Sequence, residues 1–313
     1  QAEDGIRDKL VTGVQTCALP ICSYCPTSFT AVAAASQPRR RGFNQGLQQS
    51  GFALLGLGLG PIIATQLLRV VPSWHWVFWI CAIPGFVVGA LLYVVLREPR
   101  DTHGGALIGA TEQGGSWFSV LKSRNIVLGM LALFCAMSCV FVLSALVPTY
   151  LASYLKLDAT QTGIVASALG FGGFFGQFGM PGMSDRFGRR LMAVVGFVGS
   201  AVSLWIFSHT GADVGALFAG LFVVSFFCLG NVALITGPIA TEAAPVGLVS
   251  SAIGVVVGAG EIFGGGIAPS IAGFIGNAYG IENTLYVALT GVVLGIVVSL
   301  FLRETAPRKV AGA

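Results

Sequence analysis

The sequence predicts an all-α membrane protein built of packed transmembrane helices, and three observations carry that prediction. Hydrophobic residues make up 55% of the chain and charged residues only 10%, against roughly 25% charged in ordinary soluble domains. Uncharged apolar stretches recur, each long enough at 1.5 Å per residue to cross a hydrocarbon core of roughly 30 Å as a helix. Lys and Arg collect on alternate connections between those stretches. The sharpest case is Asp185-Arg186-Phe187-Gly188-Arg189-Arg190, a charged knot between 163–182 and 191–208, neither of which holds a charge. Charges so crowded do not sit in lipid, so the knot marks a membrane surface, and its arginines mark the cytoplasmic one.

In chain order, residues 1–21 come first. They show neither a helical nor a strand period, and no signal-peptide order of basic, apolar and small residues. They resemble the conceptual translation of a sequencing adaptor, so they are set aside as a foreign leader and the natural beginning is expected upstream. Residues 22–37 form part of a span ending at Pro38-Arg39-Arg40-Arg41. Eight complete spans follow, at about 47–70, 76–96, 126–150, 162–182, 191–208, 216–239, 249–274 and 285–302. The polar, Gly-bearing stretch 97–124 reads as a cytoplasmic linker, with two full spans before it and six after. Residues 305–313 form a short tail.

Orientation follows from the count of Lys and Arg. One side collects Arg39, Arg40, Arg41, Arg97, Arg100, Lys122, Arg124, Arg186, Arg189, Arg190, Arg303, Arg308 and Lys309; the other collects Arg69 and Lys156. Thirteen against two places the C-terminus in the cytoplasm of a cell's inner, or plasma, membrane. Trp74, Trp76 and Trp79 gather at one outer boundary, as interfacial anchors do. The 44 glycines suit close helix approach in lipid.

Ser184-Asp185-Arg186-Phe187-Gly188-Arg189-Arg190 resembles the signature loop of the major facilitator superfamily, in its form between the eighth and ninth helices. Arg41-Gly42 before a Gly-rich helix, then Trp74-His75-Trp76-Val77-Phe78, resembles the same superfamily around its fifth and sixth helices. The resemblance implies a twelve-helix parent of two six-helix bundles. Residues 22–96 would then be the remnant of the first bundle and 125–304 the whole second bundle. It also implies a secondary transporter, with Asp185, Arg186, Gly188, Arg189 and Arg190 latching a cytoplasmic gate. One departure is Pro181 where the family's motif opens with glycine. Gly56 to Thr65 is similar to the first half of the superfamily's antiporter signature, but Ala64-Thr65 replaces its closing Gly-Gly, which favours uptake over drug export.

Of thirteen acidic residues, only Glu261 lies in the middle of a span. A carboxylate at the bilayer centre costs at least ~2.5 kcal/mol, so it should face a wet cavity or a partner. Such a group suits proton coupling; the plainer alternative is a protonated, hydrogen-bonded packing residue. Gly260, Gly264, Gly265 and Pro269 around it, and Gly60 with Pro61 in an earlier span, are read as points of helix flexibility, with close packing the alternative. Gln66, Gln177 and Asn231, with Arg69 near an outer span end, complete the expected proton and substrate pathway. Interhelical hydrogen bonding is the alternative for the amides, and snorkelling to the interface for Arg69.

No nucleophile with a base, phosphate-cradling loop, paired carboxylates or metal-ligand spacing appears in the sequence, and no cofactor is expected. The net charge of +4 is spread over short loops rather than a nucleic-acid-binding face. The expected partners are a small solute, H+ and the lipid bilayer, with the chain acting as a monomer. The finer expectation is proton-coupled uptake of an organic-acid or sugar-acid metabolite. Its rivals are a proton-driven drug exporter and a non-transporting membrane sensor.

Overall fold

The computed structural model describes residues 25–67, 70–95 and 117–310. The leader at 1–21, Arg69 and most of the linker at 97–124 lie outside the described residues, which are helical with no strand. Helix α1 covers 25–35. After a short turn at Pro38–Arg40, α2 runs through Arg41–Phe52, Ala53–Leu59 and Gly60–Leu67. Helix α3 is Trp74–Val95, and α4 is Arg124–Thr149 continued by Tyr150–Tyr154. Helices α5 and α6 are Ala159–Phe187 and Arg189–Ser208. Helix α7 is Val214–Leu234 with Ile235–Ile239 and Ala240–Ala243. Helix α8 joins Val249–Ala259, Gly260–Ile267 and Ala268–Tyr279. Helix α9 is Thr284–Leu300, and the short α10 is Pro307–Val310.

Seven of these helices are long and apolar enough to cross a membrane. They match seven of the eight full spans read from the sequence; the eighth, expected at 47–70, is α2. The largest difference lies at the charged knot. Expected as a turn between spans, it is almost wholly helical: α5 runs to Phe187, α6 begins at Arg189, and Gly188 alone joins them.

Four helices change pitch beside a proline. The π-helical stretches Ala53–Leu59, Tyr150–Tyr154, Ile235–Ile239 and Gly260–Ile267 adjoin or contain Pro61, Pro148, Pro238 and Pro269. Proline cannot donate to the carbonyl four residues back and its ring clashes there. The helix widens instead: Gly60 N–H reaches the Leu55 carbonyl, and Ala268 N–H that of Phe263. Opposite the arginine-rich end, α5 starts with a capping box, Asp158 accepting from Gln161 N–H at 2.8 Å. Asp213 caps α7 from the same side, accepting from Ala216 N–H at 2.8 Å.

Glycine sets the closest helix contacts. A Cβ at Gly172 or Gly176 would strike the backbone carbonyls of Phe222 and Phe226 in α7, so the four-residue repeat lets α5 and α7 touch backbone to backbone. The same device docks α2 onto α5, with Gly46 against Gln177 and Gly170 against Gly58. This α2–α5 seam joins the part of the chain before the linker to the part after it. Helix α3 stands more open, with Phe86 at 74% and Tyr93 at 91% exposure, as suits a surface meeting lipid or other helices.

Candidate functional site

The densest polar structure lies where the arginine-rich ends of α2, α5, α6 and α7 meet. Arg189, the first residue of α6, is 1% exposed and the largest fully buried side chain among the described residues. Its guanidinium grips Glu242 with both arms, Nη2 to Oε1 at 2.8 Å and Nε to Oε2 at 3.1 Å. The remaining arm meets Asp185 Oδ1 at 2.7 Å and Ser184 Oγ at 2.6 Å. A planar guanidinium supplies five donors in fixed directions, which is why one arginine can hold both carboxylates. The sequence reading placed all these charges at a membrane surface. Arg189 and Asp185 are enclosed by protein instead, which is tolerable because each is paired and hydrogen-bonded.

Asp185 also reaches across the α2–α5 seam. Its Oδ1 accepts from Gly42 N–H at 3.2 Å and its Oδ2 from Phe43 N–H at 3.0 Å. These amides belong to the first turn of α2, where N–H groups lack intrahelical partners and the helix dipole favours an anion. Gly42 has to be glycine here. An added Cβ would lie 2.6 Å from the Pro181 carbonyl and 2.7 Å from Asp185 Oδ1. One carboxylate thus cross-links the two halves of the chain at this end.

A third carboxylate closes the far side. Glu304, just past α9, accepts from the Arg189 N–H at 2.7 Å and the Arg190 N–H at 3.2 Å, capping α6. Gly188 has φ +108, in the region glycine alone enters readily, and a Cβ there would come 2.5 Å from Glu304 Oε2. Arg190 donates to the Leu300 carbonyl at 2.8 Å, holding the end of α9, whereas Arg186 is exposed. Thr305 Oγ1 donates to Glu242 Oε2 at 2.9 Å. Three acids therefore share one guanidinium and two helix N-termini. The sequence reading singled out neither Glu242 nor Glu304, since both lie away from the middle of a span. Glu242 lies three residues past a π-helical segment, and no spacing in the sequence links either acid to Arg189.

The mid-span residues are spread over several helices. Glu261 lies in the π-helical stretch of α8, exposed, and within electrostatic reach of Cys25 in α1. Its neighbours Gly260, Gly264 and Gly265 pack on Leu133, Met137 and Phe141 of α4. The stretch is π-helical where these glycines pack on α4, with Pro269 at the start of the next helical segment. Gln66 is exposed on α2. Gln177 is fully buried, and neither its side-chain oxygen nor its nitrogen has a hydrogen-bond partner. Asn231 turns away from the α2–α5 seam, donating to the Ala193 carbonyl of α6 at 3.3 Å and lying against Gly196. A small enclosed cavity of about 10 Å³ lies between α2, α4, α5 and α7, with Leu57, Ser144, Leu169 and Ser225 among its walls. Glu261, Gln66, Gln177 and Asn231 do not line it.

The sequence pattern of the Major Facilitator Superfamily matches residues 18–179 and 129–313, together almost the whole chain. The chain belongs to the major facilitator superfamily. Its relatives within it are distant. The lincomycin resistance protein LmrB of Bacillus subtilis (strain 168) is 24% identical, the match covering 59% of this chain and 49% of that protein. The proline/betaine transporter of Salmonella typhimurium (strain LT2) is 23% identical, covering 90% of this chain and 60% of that one. The chain thus spans about half to three-fifths of the curated relatives it matches. Among solved structures, the proton:xylose symporter XylE superposes with a TM-score of 0.67 at 15% identity, over 90% of this chain and 68% of that one. A bacterial homologue of the iron transporter ferroportin, in an outward-facing state, gives 0.56 at 16% identity, over 85% and 64%. At these identities the likeness is one of fold.

In this major facilitator chain the charged motif is therefore a built site rather than a topology marker alone. Asp185 joins the halves, Arg189 orients it, Glu242 and Glu304 hold Arg189 and the start of α6, and Gly42 and Gly188 make room. The motif resemblance assigned a latch to Asp185, Arg186, Gly188, Arg189 and Arg190. The geometry gives Asp185, Gly188, Arg189 and Arg190 definite contacts, and adds Gly42, Glu242 and Glu304 to them.

Proposed function

We propose that this chain belongs to a secondary active transporter that moves a small solute by alternating access. Residues 22–96 would be the end of one bundle and 125–304 the other, rocking about a midplane site. One observation carries the reading: a single carboxylate of the later half holds the N-terminus of a helix in the earlier half. Such a contact can be made and broken without unpacking either half. The bias in Lys and Arg orients the latched end towards the cytoplasm and the multi-pass protein in the inner membrane. The latched arrangement is then the half-cycle closed to the cytoplasm.

The finer reading is proton-coupled uptake of an organic-acid or sugar-acid metabolite, with Glu261 as the proton site. Gln66, Gln177, Asn231 and Arg69 remain the pathway residues to test, Asn231 with the weakest support because its amide is engaged with α6. The symporter fold of XylE supports uptake. Drug export is the second reading, and the likeness to a lincomycin resistance protein favours it. Expression in a sensitive host separates them, one conferring growth on a metabolite and the other resistance.

The test is Glu261→Gln in the transporter reconstituted in proteoliposomes with an imposed pH gradient. Coupled accumulation is expected to fall to the passive level while membrane insertion stays intact. Undiminished gradient-driven uptake in the variant would remove Glu261 from the mechanism.

A further inference from the structure

Beside the latch, the arginine-rich end carries an open cavity of about 570 Å³ between the start of α2, the last ten residues of α5 and α10. Four arginines line it: Arg39 and Arg40 from the turn before α2, Arg186 from α5, and Arg308 from α10. All four are exposed, and none forms an ion pair among the described residues. The one carboxylate in the wall, Asp185, is already committed to Arg189 and the α2 amides. The cavity therefore gathers positive charge from both halves of the chain with no internal counter-charge. Its other wall is apolar and faces outward, with Phe43 at 39%, Met183 at 45% and Phe187 at 54% exposure. Cationic groups above an exposed aromatic wall, at the end of membrane-spanning helices, match a headgroup above acyl chains.

We propose that this cavity binds an anionic phospholipid, its phosphate among Arg39, Arg40, Arg186 and Arg308 and its chains along Phe43 and Phe187. Guanidinium groups pair with phosphate oxygens through forked hydrogen bonds. Arginines at a membrane surface also draw anionic lipid out of the surrounding leaflet. The lipid does more than fill a groove. Closing the seam brings Arg39 and Arg40 towards Arg186 and Arg308, so like charges converge across the interface. A bound phosphate turns that repulsion into a bridge and favours the latched state. The binding site rests on the arginine-rich end lying at a membrane surface; only its effect on the latched state rests on the transporter reading.

The purified 313-residue chain in maltoside micelles doped with phosphatidylglycerol or phosphatidylcholine tests this by native mass spectrometry. Phosphatidylglycerol is expected to be retained several hundredfold more tightly than phosphatidylcholine, with each of the four arginines contributing roughly fivefold. The triple variant Arg40→Gln, Arg186→Gln, Arg308→Gln should keep only about the fivefold preference that Arg39 supplies. Lys156→Gln, across the membrane, should leave the selectivity unchanged. Should the triple variant fail to fold, Arg186→Gln and Arg308→Gln singly decide, each expected to weaken retention about fivefold. Millimolar inorganic phosphate should not displace the lipid. Equal retention of the two lipids, unchanged retention in the Arg→Gln variants, or displacement by phosphate alone would overturn the proposal. Transport enters none of these readouts, so a failed lipid site and a failed transporter reading stay distinguishable.

Discussion

Asp185→Asn isolates the carboxylate link between the halves at the latched end, beside which Gln45 Nε2 donates to Thr241 Oγ1 at 2.9 Å. The substitution keeps size and shape but removes the charge and one acceptor. In the native arrangement each Asp185 oxygen takes an amide of α2, at 3.2 and 3.0 Å. Asparagine can offer its oxygen to only one of them and turns an N–H group towards the other. Hydrogen bonds to a charged group are worth about 1.5–3 kcal/mol, against about 0.5–1.5 for neutral ones. The pairing with Arg189 lies within the later half, so it is present with the seam open or closed and cancels from the comparison. The loss across the seam is then about 2 kcal/mol, a shift of roughly 30-fold towards the open state. Pulsed electron resonance between spin labels at Gln37 and Phe301, both exposed, in a cysteine-free background reports the separation. The variant should add a longer-distance population. A distance distribution identical to the parent's would refute the idea that Asp185 holds the seam.

Three further substitutions and one control probe other parts of the chain. Gly42→Ala places a methyl group 2.6 Å from the Pro181 carbonyl; overpacking of this kind costs about 1–3 kcal/mol, so the same label pair should move apart. Glu242→Gln leaves Arg189 buried with one carboxylate instead of two. Breaking such a pair costs about 3–5 kcal/mol, seen as a lower melting temperature in detergent with little change in the seam distance. Gly172→Leu drives a side chain into the Phe222 backbone of α7 and should abolish the folded monodisperse species on size-exclusion chromatography, whereas Gly163→Ala, with open space around it, should not.

The fold was legible because lipid imposes a coarse rule that composition reveals. Helices in a bilayer must be long, apolar and internally hydrogen-bonded, and seven of the eight full spans emerge from that rule alone. The motif was also legible, since Gly188 between Asp185 and Arg189 is an order that topology by itself does not require. Its environment was not. Burial of Arg189 depends on Glu242 and Glu304, 53 and 115 residues away, and no local pattern announces contacts of that range. Gly42 stood in a recognised Arg-Gly pair, yet its purpose shows only once Pro181 and Asp185 lie against it. Asn231, read from the sequence as a pathway residue with interhelical hydrogen bonding the alternative, donates to the Ala193 carbonyl of α6; a helix presents different neighbours at each step of 100°, so place along the chain does not fix the face.

The distribution of charge at the latch bears on how such a seam can be bistable. A buried ion pair that spanned the two halves would leave two uncompensated charges on opening, at several kcal/mol each. Here the ionic pairs Arg189–Asp185 and Arg189–Glu242, at 2.7 and 2.8 Å, lie inside one half. What crosses the seam is a carboxylate meeting backbone amides at a helix start, together with the neutral hydrogen bond from Gln45 Nε2 to Thr241 Oγ1 at 2.9 Å. Water can replace those amides around Asp185, and the first turn of α2 can itself be hydrated. Opening therefore exchanges protein hydrogen bonds for water while every buried charge keeps its partner. On the proposed transporter reading, the polar energy separating the two states stays at the scale of a few hydrogen bonds, small enough for a solute, a proton or a bound lipid to tip.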